Sequence, residues 1–96
     1  MRITVKEKDY LVAKIKSIDP NARIFLFGSR ANDSKKGGDI DILILSVNKL
    51  SMKDKSEIRY GFIEKFGEQR IDLLNYTFNE ENSFKSLILN DSVELI

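Results

Sequence analysis

Cysteine and histidine are both absent from the 96 residues, and this narrows the chemistry that the chain can perform. Without cysteine there is no disulfide, no thiolate nucleophile and no thiolate metal site. Without histidine there is no imidazole base, and most zinc sites are excluded as well. Catalysis would therefore depend on carboxylates, whose hard oxygen atoms favour Mg²⁺ or Mn²⁺ over zinc or copper.

An excess of charge of one sign is also lacking, since 16 Lys and Arg residues balance 15 Asp and Glu residues. No overall field would hold the chain on a nucleic-acid backbone or an acidic membrane, so we expect no strong nucleic-acid binding. No apolar run approaches the length of a membrane span, which favours a cytoplasmic location and no membrane partner. The short length and 42% apolar content predict a single domain over residues 1–96.

The apolar pattern predicts an α+β fold, with a small mixed sheet of about three strands packed against helices in two layers. Thr4 with Glu7 forms a capping box for the first helix, and Ser51 with Asp54 caps another helix that Gly67 ends. Helices are expected at residues 5–18, 51–67 and 80–89, strands at 22–27, 39–45 and 70–76, and a helical turn with a loop at 30–38.

Two aspartates open the second predicted strand where a core strand would have apolar residues. Asp39 and Asp41 are two positions apart, so their side chains point to the same face of a strand. Two carboxylates about 4 Å apart repel by roughly 4 kcal/mol at an effective dielectric near 20. A divalent cation would offset this repulsion, and Asp72 in the third strand would complete a ligand set for two ions.

Each of these features alone has an ordinary structural explanation. In a chain with this aspartate content, about one Asp-x-Asp pair is expected by chance. Asp72 alone is typical of a surface acid on an edge strand, and Gly28-Ser29 alone is typical of a turn. Their order is more informative: the turn ends one strand, two acids open the next strand, and the third strand carries one central acid. Such an arrangement suits metal-assisted, in-line nucleotidyl transfer from a nucleoside triphosphate.

Residues 26–31 (LFGSRA) and 38–44 (GDIDILI) resemble the two-part signature of the minimal nucleotidyltransferases, or MNT domains, of the DNA polymerase beta superfamily. The order of elements and the Asp72 strand match that family along the whole chain. The resemblance implies a polymerase-beta-like nucleotidyltransferase fold, two Mg²⁺ ions, with Mn²⁺ as an alternative, and ATP as the substrate.

The resemblance also implies roles for individual residues. Asp39 and Asp41 would bind both ions, while Asp72 would bind the catalytic ion and help to take the proton from the acceptor hydroxyl. Gly28 would let backbone amides approach the triphosphate, and Ser29 would donate its hydroxyl to a phosphate. Arg30 would either pair with phosphate oxygens or face solvent as an ordinary surface arginine.

The chain departs from the family pattern between the two signature segments. Asn32 and Asp33 stand where many members have Arg-Gly, and Gly38 stands where many have serine. The extra carboxylate of Asp33 disfavours nucleotide binding, whereas the Gly37-Gly38 pair would let the shortened loop reposition. Because the predicted catalytic acids are intact, activity is still expected. Lys35 and Lys36 would screen triphosphate charge, although a lysine pair in a loop is more typical of a solvated surface.

Free MNT domains of this kind are commonly the antitoxin half of a pair whose partner is a HEPN-domain toxin. The resemblance therefore implies transfer of AMP to a tyrosine hydroxyl of that partner, with homo- or hetero-oligomers as possible assemblies. The alternative is a binding module that neutralises the HEPN protein by contact, using a face near Tyr60, Phe62 and Phe66, although such aromatics are more typical of a core. A nucleotidyltransferase acting on antibiotics or nucleic acids is disfavoured, because those enzymes usually carry an added substrate domain.

Overall fold

The structure, a computed structural model, describes residues 2–32 and 38–96. In these two ranges, three α-helices and a 3-10 turn pack against a four-stranded mixed sheet. The predicted α+β class is confirmed, but the sheet has four strands, not about three. In chain order the elements are α1 (Val5–Ile18), β1 (Arg23–Phe27), the 3-10 turn (Gly28–Ala31), β2 (Ile40–Ser46), α2 (Met52–Phe66), β3 (Ile71–Thr77), α3 (Ser83–Asn90) and β4 (Val93–Leu95).

The strands lie side by side in the order β3-β2-β1-β4. Strand β1 runs antiparallel to both β2 and β4, whereas β2 and β3 run parallel. The carboxyl end of β1 therefore meets the amino ends of β2 and β3 at one end of the sheet. This end carries the Gly28 turn and all three predicted aspartates.

Alternating side chains of the strands build an apolar layer on each face of the sheet. One layer contains the even-numbered isoleucines of β2 and packs against α1 and α2, with Leu11, Ile15, Ile58 and Phe62 fully buried. The other contains Phe25, Leu43, Leu45 and Tyr76 and is covered by Ile88 of α3. We expected two layers, but the sheet has helices on both faces.

The aromatic side chains of α2 divide between core and surface. Phe62 is fully buried and Phe66 packs against the same cluster, as the core interpretation predicted. Tyr60 is 71% exposed and lies on the outside of the helix. Most of the face suggested for contact with a partner is therefore interior.

Local capping fixes the predicted helix starts. The Thr4–Glu7 and Ser51–Asp54 capping boxes are both formed, and Gly67 ends α2 at a positive φ of 89°. Helix α3 begins three residues later than predicted, at Ser83, because Asn82 is its N-cap.

Strand β4 was not predicted. It has only three residues, so its alternation is too short to be distinguished from a loop, and its pairing with β1 defines it. Leu95 points into the core and is 3% exposed. Within the described ranges, no helix has the length and apolar character needed to cross a membrane.

Candidate active site

Register places two of the predicted aspartates directly opposite each other. Asp41 of β2 pairs with Asp72 of β3, and it also faces Phe27 of β1, the residue before the Gly28 turn. Ile40 and Ile42 are buried in the layer beneath α1 and α2, so Asp41 points to the opposite face. Asp72 lies on that same face because it pairs with Asp41. Asp39 lies one residue before β2, and Arg70 contacts both Asp39 and Asp72.

The turn after β1 is built against the Asp41 carboxylate. Gly28 has a positive φ of 73°, a conformation that residues with a side chain rarely adopt. A Cβ at this position would overlap the Oδ2 atom of Asp41. Glycine at position 28 therefore satisfies two constraints, and it brings the backbone of the 3-10 turn next to the carboxylates.

Asp41 is the electrostatic centre of the cluster. Partial burial raises the pKa of Asp41 above its ordinary range, and the charge of Asp72 and a hydrogen bond to it raise the pKa further. Asp39 adds to the rise, whereas the positive charge of Arg70 opposes it. Such a group needs a proton or a cation beside it, and a cation would lower the pKa again.

Arg70, just before β3, supplies positive charge to the cluster. Its Nε atom lies 3.4 Å from Oδ1 of Asp72 and 3.7 Å from Oδ2 of Asp39. Its side chain is 73% exposed, so these ion pairs are solvated. The sequence analysis missed Arg70, although a signal was present: Arg70 precedes Asp72 by two residues and therefore shares its face.

The chemistry of the donor set suits Mg²⁺. Three carboxylates at one end of the sheet are the hard oxygen ligands that this ion prefers. The present side-chain arrangement is not a closed ligand set: across residues 2–32 and 38–96, no three acidic, histidine or cysteine side chains are grouped to hold a metal ion. The guanidinium of Arg70 stands between two of the three carboxylates.

Hydrogen bonds to other parts of the protein hold the Arg30 side chain in place. Its guanidinium donates hydrogen bonds to the backbone oxygens of Arg2 and Gly38 and to Oε1 of Gln69. Arg2 in turn donates a hydrogen bond to the Ser29 carbonyl, and its backbone N–H donates to the Arg30 carbonyl. This network ties the 3-10 turn to the segment just before Asp39. Pairing of Arg30 with phosphate, one of its two predicted roles, stays a prediction.

The structure thus brings Asp39, Asp41, Asp72 and Gly28 together, with Ser29 next in the turn. Asp33, Lys35 and Lys36, which the sequence analysis considered near the phosphates, lie outside the described residues. Besides Arg70, the sequence analysis also missed Gln69, whose side chain contacts the Gly38 carbonyl. Nothing in its local pattern sets Gln69 apart, because its role depends on the packing of distant segments.

Several solved structures share this fold, including the following three. One is a Shewanella oneidensis complex described as a tri-AMPylated HEPN toxin with MNT antitoxin, at 17% identity over 95% of this chain and 70% of that chain, with a TM-score of 0.65. The MntA–HepT toxin–antitoxin is 16% identical over 97% of this chain and 72% of that chain, with a TM-score of 0.66. A toxin–antitoxin with AMP-PNP is 17% identical over 93% of this chain and 72% of that chain, with a TM-score of 0.69.

Sequence comparison gives the family. No curated protein matches the chain significantly. The model of the nucleotidyltransferase domain matches residues 8–95, a range that extends from α1 to the last residue of β4 and includes the turn and all three aspartates. The chain therefore belongs to the nucleotidyltransferase domain family.

Proposed function

We propose that this chain transfers AMP from ATP to a hydroxyl group of a HEPN-domain partner, most simply a tyrosine, and thereby acts as an antitoxin. The observation that carries the proposal is the direct pairing of Asp41 with Asp72, with the Gly28 turn packed against Asp41. The names of the similar structures support the choice of reaction: one contains a tri-AMPylated HEPN toxin beside an MNT antitoxin, and another contains AMP-PNP.

The 3-10 turn is the proposed phosphate site. With no side chain at Gly28, the backbone N–H groups of the turn can approach phosphate oxygens closely, and the Ser29 hydroxyl can donate to one of them. We assign Arg30 an indirect role. It holds the turn against the Gly38 carbonyl, so it positions the phosphate site without contacting the nucleotide.

The carboxylates are the proposed metal site and base. Asp39, Asp41 and Asp72 would hold two Mg²⁺ ions, with Mn²⁺ as a substitute, and these ions would offset the charge of the triphosphate and of the leaving pyrophosphate. Asp72 lies at the edge strand of the sheet, where it would accept the proton of the acceptor hydroxyl. The acceptor oxygen forms the new bond to the α-phosphorus, and the bond to pyrophosphate breaks.

We further propose that residues 1–96 work as a single domain and act in the cytoplasm, where ATP is supplied.

The competing function is neutralisation of the HEPN partner by contact alone. In that case the carboxylates would be dispensable, and the exposed outer side of α2 at Tyr60 would be a candidate contact.

The experiment uses ATP labelled at the α- or the γ-phosphate, Mg²⁺ and the purified protein encoded beside this chain. We expect label from α-labelled ATP, and none from γ-labelled ATP, on the partner. The variants Asp39→Ala and Asp41→Ala should abolish labelling and lose the ability to rescue growth. Asp9→Ala, at an exposed position of α1 outside the cluster, should behave as the unmodified chain. Growth rescue that persists in both aspartate variants without label would establish the contact mechanism instead.

A further inference from the structure

Arg70 places one positive group against two of the three aspartates. Its Nε atom is 3.4 Å from Asp72 and 3.7 Å from Asp39, and the two carboxylates come from neighbouring strands. A divalent cation shared by these aspartates would have to occupy the space that the guanidinium now approaches. Arg70 and a metal ion therefore compete for the same oxygen atoms.

The exposure of Arg70 makes its displacement feasible. The side chain is 73% exposed, and the two carboxylates it contacts are each about half exposed. Ion pairs of this kind contribute little to stability, because water screens them and long side chains lose freedom when they are held. The guanidinium can turn into solvent without disturbing the core.

The cluster nevertheless needs a counter-charge when no metal is bound. Asp41 and Asp72 pair directly across β2 and β3, and Asp39 adds a third like charge. Arg70 shares the face of these carboxylates through its two-residue spacing from Asp72.

We propose, on the basis of the function proposed above, that Arg70 is an internal counter-ion that competes with the divalent cation for Asp39 and Asp72. The guanidinium holds the carboxylates in the empty site and leaves them when metal binds. Arg70 thereby sets the metal concentration at which the site fills.

The test measures Mn²⁺ binding without nucleotide, from the loss of the electron paramagnetic resonance signal of free Mn²⁺. Arg70→Gln removes the charge, Arg70→Lys retains it, and Lys53→Gln removes one charge at a distant exposed position of α2. We expect Arg70→Gln to bind Mn²⁺ about thirtyfold more tightly, the effect of one positive charge about 4 Å from a divalent ion in a water-like dielectric. Arg70→Lys should change the affinity much less, and Lys53→Gln should not change it. Melting temperatures in EDTA verify that each variant is folded.

The outcomes separate this inference from the proposed function. If Asp39→Ala loses Mn²⁺ binding but Arg70→Gln binds with unchanged or lower affinity, competition by Arg70 is overturned and the metal site stands. If Arg70→Gln binds Mn²⁺ but the unmodified chain does not bind it detectably, the result would support the inference. If no variant, including Arg70→Gln, binds Mn²⁺ at millimolar concentration, the proposed metal site fails and the inference fails with it.

Discussion

Gly28 lies against the Asp41 carboxylate, and its backbone has a positive φ of 73°. The chain contains a natural comparison, because Gly67 at the end of α2 also has a positive φ, of 89°, but a Cβ there would meet nothing within 4 Å. Backbone strain is common to both positions, whereas a clash with a carboxylate occurs only at position 28. The pair therefore separates the conformational role of glycine from its role in the site.

We expect Gly28→Ala and Gly67→Ala each to lower the free energy of unfolding by about 1 to 2 kcal/mol, the cost of a side chain in the left-handed region. Gly28→Ala should lower the free energy of unfolding somewhat more than Gly67→Ala, because the added methyl group displaces the Asp41 carboxylate. Only Gly28→Ala should also lose AMP transfer, by at least about tenfold. Urea denaturation and the labelling assay measure the two effects. Equal transfer by both variants would show that the contact between Gly28 and Asp41 has no role in the reaction.

Asp41 carries an unfavourable charge in the folded protein. Because the pKa of Asp41 is raised on folding, the folded chain binds a proton more readily than the unfolded chain. Stability therefore falls as the pH rises from the ordinary aspartate pKa of 3.8, and the loss is complete once the pH exceeds the higher pKa of the folded protein.

Asp41→Asn should consequently raise the melting temperature at pH 7 in EDTA. Removing one like-charge contact is worth about 1 kcal/mol in a solvated site. That corresponds to about 4 to 8 °C for a domain of this size. The difference should shrink toward pH 4, where the aspartate is increasingly protonated. Asp54→Asn and Asp91→Asn are no suitable controls because these residues cap α2 and α3, so Asp9→Asn, at an exposed position of α1, is used. A lower melting temperature for Asp41→Asn at pH 7 would contradict the account.

Among the elements, α1 and α2 meet through a glycine. Gly61 faces Tyr10, whose hydroxyl donates a 3.0 Å hydrogen bond to the Ile58 carbonyl. The Tyr10 ring also lies edge-on to Phe62 and Phe66, with centroid distances of 6.1 Å to each. A Cβ at position 61 would overlap the tyrosine hydroxyl, so the close approach of the two helices depends on this glycine.

Gly61→Ala should lower the free energy of unfolding by about 1 to 3 kcal/mol, although alanine normally favours a helix over glycine. In a Tyr10→Phe background the hydroxyl is gone, so the same change should cost far less. Urea denaturation of the four combinations gives the coupling between the two positions. Additive effects would mean that Gly61 and Tyr10 do not constrain each other.

Elements with their own capping residues could be predicted from the sequence, and those defined by distant contacts could not. Helix α1 begins at Val5 as expected because Thr4 and Glu7 act locally. The start of α3 was predicted too early because Glu80 instead accepts a hydrogen bond from the Thr77 N–H and pairs with Lys49. Strand β4 exists only through its pairing with β1.

Across the whole molecule, the strand order creates the site. Asp41 and Asp72 are far apart in the chain, and only the parallel pairing of β2 with β3 places them opposite each other. The sequence spacing predicted which acids would form the candidate site. It did not indicate the register, the antiparallel β1, or the positions of Arg70 and Gln69, because these depend on contacts between segments distant in the chain.

The strand order also leaves β3 at an edge of the sheet, close to the site. Since the Arg70 carbonyl points toward β2, the carbonyls of alternate residues from position 71 onward point outward. Three of these accept hydrogen bonds from basic side chains: Ile71 from Arg59, Asn75 from Lys49, and Thr77 from Lys85. Such contacts oppose pairing of this edge with a further strand.

Calorimetric titration with AMP-PNP tests the central claim most directly, because it asks whether the carboxylates and the Gly28 turn form one nucleotide site. The account predicts that the chain binds AMP-PNP with Mg²⁺, and at least about tenfold more weakly in EDTA. The double variant Asp39→Ala/Asp41→Ala should not bind, whereas Lys53→Gln should bind as the unmodified chain does. Equal binding with and without Mg²⁺, or unchanged binding by the double variant, would contradict it.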